Sequence, residues 1–148
     1  MNDWNDLADF AEELIEDMVV EVKTKAVESF MRTVTIPSID PSDSGITPVL
    51  SGRLMANTRV SINNPLEGSV DIYDEDGDTT YNKGVAVAKK AKAWDKIYIQ
   101  NAVEGEDSNT GDMNPYWKNA EYKGWKVVGA YKFFTKSYFQ MASDIEDM

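Results

Sequence analysis

From Asp3 to Val34 apolar residues recur at helical spacing. Trp4, Leu7, Ala11, Leu14, Met18 and Val22 make a stripe that Phe10, Ile15 and Val19 widen, and Ala26, Val27, Phe30, Met31 and Val34 continue it. This is the clearest periodic signal in the chain, and it predicts one long amphipathic helix. Asn2 or Asp3 can cap its start. Acids crowd its first half (Asp6, Asp9, Glu12, Glu13, Glu16, Asp17), and Lys23, Lys25 and Arg32 sit in the second, both as the helix dipole favours. At about 1.5 Å per residue the helix is roughly 45 Å long, longer than a domain of this size needs. Two outcomes stay open: part of the stripe packs on a neighbouring subunit, or the helix breaks or curves across its own sheet.

Thr35 to Pro48 holds three of the five prolines together with Ser, Asp and Gly, and reads as a linker or loop. The stretch that follows, TPVLSGRLMANTRVSINNP from Thr47 to Pro65, gives a short helical turn (Arg53 to Ala56) and then an alternating strand from Arg59, stopped by Asn63-Asn64-Pro65. Alternation puts Val60 and Ile62 on one face and Arg59, Ser61 and Asn63 on the other. Ser69 to Tyr73 alternates again, so the two runs predict an antiparallel hairpin, closed off by Asp74-Glu75-Asp76-Gly77-Asp78. Thr79 to Ala93 reads as a short helix with a basic C-terminus, and Lys96 to Asn101 as a third strand. Ala102 to Asn114 is a polar loop, and Tyr116 to Trp125 an aromatic segment packed on the sheet. From Ala130 a second amphipathic helix runs through Phe133, Phe134, Ser137, Tyr138, Met141 and Ile145.

The fold class expected is α+β: a long N-terminal amphipathic helix, a small antiparallel sheet of three to four strands with a short inserted helix, and a C-terminal amphipathic helix. The expected organisation is a single domain over 1–148, with the long helix at 1–34, a linker at 35–48, a sheet-containing core at 49–129 with its loop at 102–114, and the C-terminal helix at 130–148.

Composition narrows the function classes. A chain of 148 residues, 42% hydrophobic and 11% aromatic, can bury one real core. A net charge of −11 argues against a dedicated nucleic-acid or anionic-membrane binder. That charge is uneven: residues 1–50 hold 11 acids and 3 bases, a net of −8, and residues 79–136 hold 6 acids and 10 bases, a net of +4. A subunit polarised in this way can dock head-to-tail on copies of itself, or simply carry a solvated acidic helix on a mixed surface. Cysteine and histidine are absent, which removes disulfides, Cys/His zinc sites and His- or Cys-dependent nucleophiles. The acidic N-terminus lacks a signal-peptide pattern and no window reaches the roughly 20 apolar residues of a membrane span. A soluble protein made in a cytoplasm is expected, with no membrane partner.

Candidate chemistry is thin. Asp74 to Asp78 resembles a calcium loop, but an EF-hand begun at Asp74 would put Thr79 at the required glycine and Val85 at the bidentate glutamate. A solvated turn at a hairpin tip explains it better. Glu104, Glu106 and Asp107 suggest paired carboxylates without an apolar wall to raise a pKa. Lys89, Lys90, Lys92 and Lys96 beside Trp94 are too poor in arginine and aromatics for a phosphate-tracking groove and suit a helix C-terminus. Gly52 lies in no phosphate loop. Of Trp4, Trp94, Trp117 and Trp125, most are expected in the core, although aromatic anchors also gather at interfaces. No catalytic constellation emerges, so neither an enzyme nor a cofactor nor a metal is expected.

Thr47-Pro48-Val49 with Ser51-Gly52-Arg53-Leu54, then Asn57-Thr58-Arg59-Val60-Ser61 and Pro65, resembles the tailed-bacteriophage neck and tail-completion proteins, a family that includes head–tail connector and minor tail components. Ile97-Tyr98-Ile99-Gln100-Asn101 is similar to that family's next strand, and Pro115-Tyr116 with Ala120-Glu121-Tyr122 and Gly124-Trp125 to the segment after it. The order, spacing and leading helix agree over most of residues 1–125. The motif residues are Pro48, Ser51, Gly52, Arg53, Leu54, Tyr98, Asn101, Pro115, Tyr116, Glu121 and Gly124. Ala102 to Asn114 departs as an insertion, Trp117 stands where a small residue is usual, and Lys123 adds a position before Gly124.

The resemblance implies a structural virion protein at the head–tail junction, assembled in the host bacterial cytoplasm. Copies would form a homo-oligomeric ring, on the order of six or twelve in a closed symmetry. Its neighbours would be other neck, tail-terminator or portal-side proteins, and DNA would pass its channel without specific binding. A negative subunit suits that passage, because a basic lumen would hold DNA through many phosphate contacts. The loops 74–78 and 102–114 are the expected reach toward adjoining rings. Two other classes stay open: an acidic module that mimics DNA and inhibits a host nucleic-acid enzyme, and a metal-assisted hydrolase using Asp74, Asp76, Asp78 or Glu104.

Overall fold

The computed structural model describes residues 4–38, 45–48, 52–106, 113–115 and 132–148. The expected helix forms without a break as α1, Trp4–Val34, 31 residues long. Its apolar stripe, however, is two stripes. At about 100° of turn per residue, Trp4, Leu7, Ala11, Leu14, Met18 and Val22 share one side, whereas Val27, Met31 and Val34 lie on nearly the opposite one. Only the second set meets the body. Val27, Phe30, Met31 and Val34 are buried, with Met31 and Val34 at 0% exposure. From Trp4 to Met18 nearly every side chain is exposed.

After α1 the chain makes a short parallel pair, β1 (Pro37–Ser38) with β2 (Thr47–Pro48). The Thr47 hydroxyl donates to the Val34 carbonyl and so ties this pair to the end of α1. The linker expected at 35–48 is thus an ordered piece at both its ends, and residues 39–44 lie outside the described ones. Next come α2 (Arg53–Ala56) and β3 (Arg59–Ile62). Then α3 runs Asp78–Ala88, β4 Ile97–Gln100, β5 Glu104–Glu106, β6 Met113–Pro115 and α4 Phe133–Glu146. The class is α+β: a long N-terminal helix, a small antiparallel sheet and a C-terminal helix.

The sheet differs from the expected one. β3 pairs antiparallel with β4, with Arg59 opposite Gln100 and Ile62 opposite Ile97, and that sheet has two strands among the described residues. The hairpin expected between 59–63 and 69–73 does not form. Asn63 takes a left-handed backbone (φ 64°) and turns the chain off the ladder. Its N–H donates to the Lys96 carbonyl (2.7 Å) and its side-chain oxygen accepts from the Lys96 N–H (2.9 Å), so the end of β3 is closed by the start of β4. Segment 69–73 is held instead by a side chain, as described below. The alternation of β3 holds only in part, since Ser61 is buried like Val60.

Two further expectations shift. The inserted helix ends at Ala88, so Lys89, Lys90 and Lys92 follow the helix and do not sit in its last turn. The polar loop 102–114 contains an antiparallel pair, β5 with β6, in which Gly105 faces Asn114. Val103 at its base is fully buried. The aromatic segment 116–125 lies outside the described residues. The core joins the second half of α1 to α3, α4, β3 and Val103. Phe30 and Phe133 both meet Phe134 edge-on, at 5.2 and 4.9 Å between ring centroids, which fixes α4 against α1.

Candidate functional site

The motif residues build a joint. Gly52 has φ 85°, and a Cβ there would fall within 2.6–2.8 Å of the Asp74 backbone. The Gly52 carbonyl accepts from the N–H groups of both Ala56 and Asp74, at 2.9 and 3.0 Å. A glycine is therefore required twice, by conformation and by contact. Arg53 reaches Ser69 (3.2 Å), and Leu54 is buried in the core. Asn57, at 0% exposure, donates to the carbonyls of Arg53 (2.9 Å) and Val70 (3.0 Å) and accepts from the Val70 N–H (2.8 Å). One amide thus mimics a strand neighbour for residue 70, which is why that segment needs no ladder.

Asn101 plays the matching part after β4. Its amide donates to the Leu54 carbonyl (2.7 Å) and the Thr58 hydroxyl (3.0 Å), and its oxygen accepts from the Val103 N–H. Tyr98 stands on β4 opposite Ser61 and is half-buried. Pro48 and Pro115 lie in β2 and β6. Ser51, Tyr116, Glu121 and Gly124 lie outside the described residues. Within the described set, Gly52, Leu54, Asn57 and Asn101 come together around α2. Asn101 is bonded to the Leu54 backbone, and Gly52 and Asn57 to α2 and to the segment 70–74.

The acidic run 74–78 is no solvated hairpin tip. Asp74 is buried, and its carboxylate accepts from the N–H groups of Gly77 (3.1 Å) and Thr80 (2.7 Å), which caps the start of α3. Burial alone would push its carboxyl up, but the hydrogen bonds from Thr80 and Gly77 outweigh that and hold it below the usual aspartate value. Gly77, with φ 87°, lies so close to the Thr35 backbone that a side chain would collide with it. Asp74 and Gly77 thus anchor the run to the body, while Glu75, Asp76 and Asp78 remain exposed. No group of three or more acidic residues that could hold a metal ion occurs among the described residues. Glu104 and Glu106 lie in β5, and Asp107 is outside the described residues.

What the structure exposes is apolar. Trp4 is 83% exposed and Trp94 70%, against the expectation of core tryptophans; Trp117 and Trp125 are outside the described residues. Leu7, Phe10, Leu14, Ile15 and Met18 are also exposed. Beyond Trp94 lies an open groove of about 650 Å³, walled by Val27 and Phe30 of α1, Ile97 and Ile99 of β4, and Tyr138 and Met141 of α4. Lys23 and Lys96 stand at its edge with Asp95 between them. The Lys23 ammonium donates to the carbonyls of Ala93 and Asp95, both at 2.5 Å, and so fixes the turn before β4 to α1. Asp95 accepts from the Asn63 amide (3.0 Å) and the Lys92 N–H (2.8 Å), which lowers its pKa. Lys89, Lys90, Lys92 and Lys96 are exposed, and of these Lys96 lines the groove. The periodicity of the sequence announced the stripe, but no sequence signal announced the groove, which three elements distant in the chain create together.

No helix among the described residues is long and apolar enough to cross a membrane. Comparison with protein-family models, curated proteins and solved structures finds no match to this chain.

Proposed function

We propose that this chain is a structural component of a tailed-bacteriophage neck, a tail-completion or head–tail connector protein whose copies form a ring around a DNA channel. The observation that carries the reading is the ordered set Thr47 to Pro65, Ile97 to Asn101 and Pro115 to Trp125 behind a long leading helix. Two physical features support it. Gly52, Leu54, Asn57 and Asn101 are spent on holding the joint between α2, β3 and β4, as suits a scaffold without catalysis. The first half of α1 stands off the body with its apolar side uncovered, as suits a subunit completed by neighbours. Two loops are offered to adjoining rings: 74–78, which exposes Glu75, Asp76 and Asp78, and 102–114, which is anchored at its base by the buried Val103. The role of the second loop is best tested by shortening residues 107–112, because removal of 102–114 would also excise the buried Val103.

Immunogold electron microscopy on particles from the source culture, with antibody to this protein, tests the reading. Gold confined to the junction of head and tail is the expected result. Unlabelled particles, with the protein left soluble in the lysate, would overturn it.

One observation favours a second reading. Asp9, Glu12, Glu13 and Glu16 share a face of an exposed helix, the arrangement that a DNA mimic requires. Stoichiometric inhibition of a host nuclease by the purified protein would support that alternative, and its absence across a panel of such enzymes would remove it.

A further inference from the structure

The two exposed apolar features of this molecule, the first half of α1 and the groove beside Trp94, cannot meet within one copy. The groove is walled by Val27 and Phe30 of α1 itself, and residues 4–22 continue the same unbroken helix away from it. Their stripe also faces nearly opposite to the side on which Val27 and Met31 enter the core. Large side chains such as Trp4 (83% exposed) and Met18 (58%) together present apolar surface on the order of several hundred Å², the size that marks an interaction site on a soluble protein.

Charge selects the occupant. Residues 4–22 contain seven acids and no base. Laying two such stripes together would bring two segments of like charge side by side, which disfavours a helix-on-helix pair. The groove has the opposite balance at its margin, where Lys23 and Lys96 outnumber Asp95, and Lys92 is exposed two residues before Trp94. We infer that residues 4–22 of one copy dock, stripe first, into the groove between α1, β4 and α4 of a second copy, with Asp17 and Glu21, which border the stripe, against its lysines. The contact is between two different surfaces, so it propagates head-to-tail and closes a ring when the rotation per copy permits. This deepens the neck reading by naming the contact that joins its copies.

The chain has no cysteine, so engineered thiols report the contact without background. Ile15→Cys on one preparation and Tyr138→Cys on another place them on the stripe and in the groove, both at exposed positions that leave the core intact. Glu67→Cys, exposed and outside the lining of the groove, is the control. The docking predicts that Ile15→Cys links to Tyr138→Cys at least about tenfold faster than to Glu67→Cys under mild oxidation, as raised effective concentration requires. Lys92→Glu with Lys96→Glu, or added salt, should abolish most of that advantage. Equal rates at both positions overturn the docking. Sedimentation of the same samples separates the two readings. Fast linkage in a ring-sized particle supports both. Fast linkage in a closed dimer supports the docking and counts against the ring. Control-rate linkage within a ring-sized particle overturns the docking and leaves the ring standing.

Discussion

Asn57 shows how a single buried amide can replace a strand. It meets three backbone groups, two of them on Val70, and no water reaches it. Asn57→Ala deprives both Val70 backbone groups of their partner, while the Arg53 carbonyl keeps the Asn57 N–H, and should cost about 1–3 kcal/mol, measured as a lower urea midpoint at unchanged slope. Asp74 holds the next turn by the same means but with a charge. Its pKa in the fold lies below that of the unfolded chain. Its hydrogen-bonded carboxylate therefore stabilises the fold above the ordinary aspartate pKa of about 3.9, and that contribution is lost as pH falls through the lower, folded value. Asp74→Asn should lose about 1 kcal/mol at neutral pH. The gap to the wild-type chain should narrow as pH is lowered through that window. A gap that stays constant from pH 7 to pH 3 would mean that the charge is not what matters.

At the scale of elements, α1 is one helix with two fates. From Lys23 onward it is tied down, first by the bonds to Ala93 and Asp95 and then by burial of Val27, Phe30, Met31 and Val34. Before that point it makes little use of the body. A chain lacking residues 1–17 should therefore keep its fold and change unfolding free energy by less than about 1 kcal/mol, in the range of surface changes. Chemical denaturation would check this. A loss of several kcal/mol would place the first half of α1 in the cooperative core. The segment 69–73 is the counterpart: its alternation, Val70 and Ile72 against Asp71 and Tyr73, looks like a strand and is none. The Asn57 amide, just after α2, satisfies the backbone of residue 70 in place of a ladder, while the Val70 side chain stays exposed.

For the whole molecule, stability should be graded along α1. In dilute solution the amides of residues 8–20 should exchange with solvent orders of magnitude faster than those of residues 30–34, because only the latter open with global unfolding. Hydrogen exchange resolved by peptide or by nuclear magnetic resonance reads this directly. Protection of residues 8–20 that appears only as concentration rises would report their burial by another copy. The uneven charge acts at this scale too. The −8 of residues 1–50 is carried mainly by the projecting helix, and the bases of residues 79–136 include the exposed lysines around Trp94. Separation of opposite charges on one subunit is a physical basis for orientation in assembly.

The sequence by itself determined the helices and two of the strands. Periodicity near 3.6 placed α1, α3 and α4, β-branched and aromatic runs placed β3 and β4, and the absence of cysteine and histidine removed whole classes of chemistry. Gly52 and Asn101 were also visible, as motif residues, although not as the close approach and the hydrogen-bonded clasp that they are. Only the tertiary structure decided that β3 pairs with β4, that Asp74 is an interior cap, and that Trp4 and Trp94 are exposed. It also split the stripe of α1 into a buried half and an uncovered half on opposite sides. The reason is physical: local spacing encodes which face of an element is apolar, and only the arrangement of distant elements settles what, if anything in the same chain, covers it.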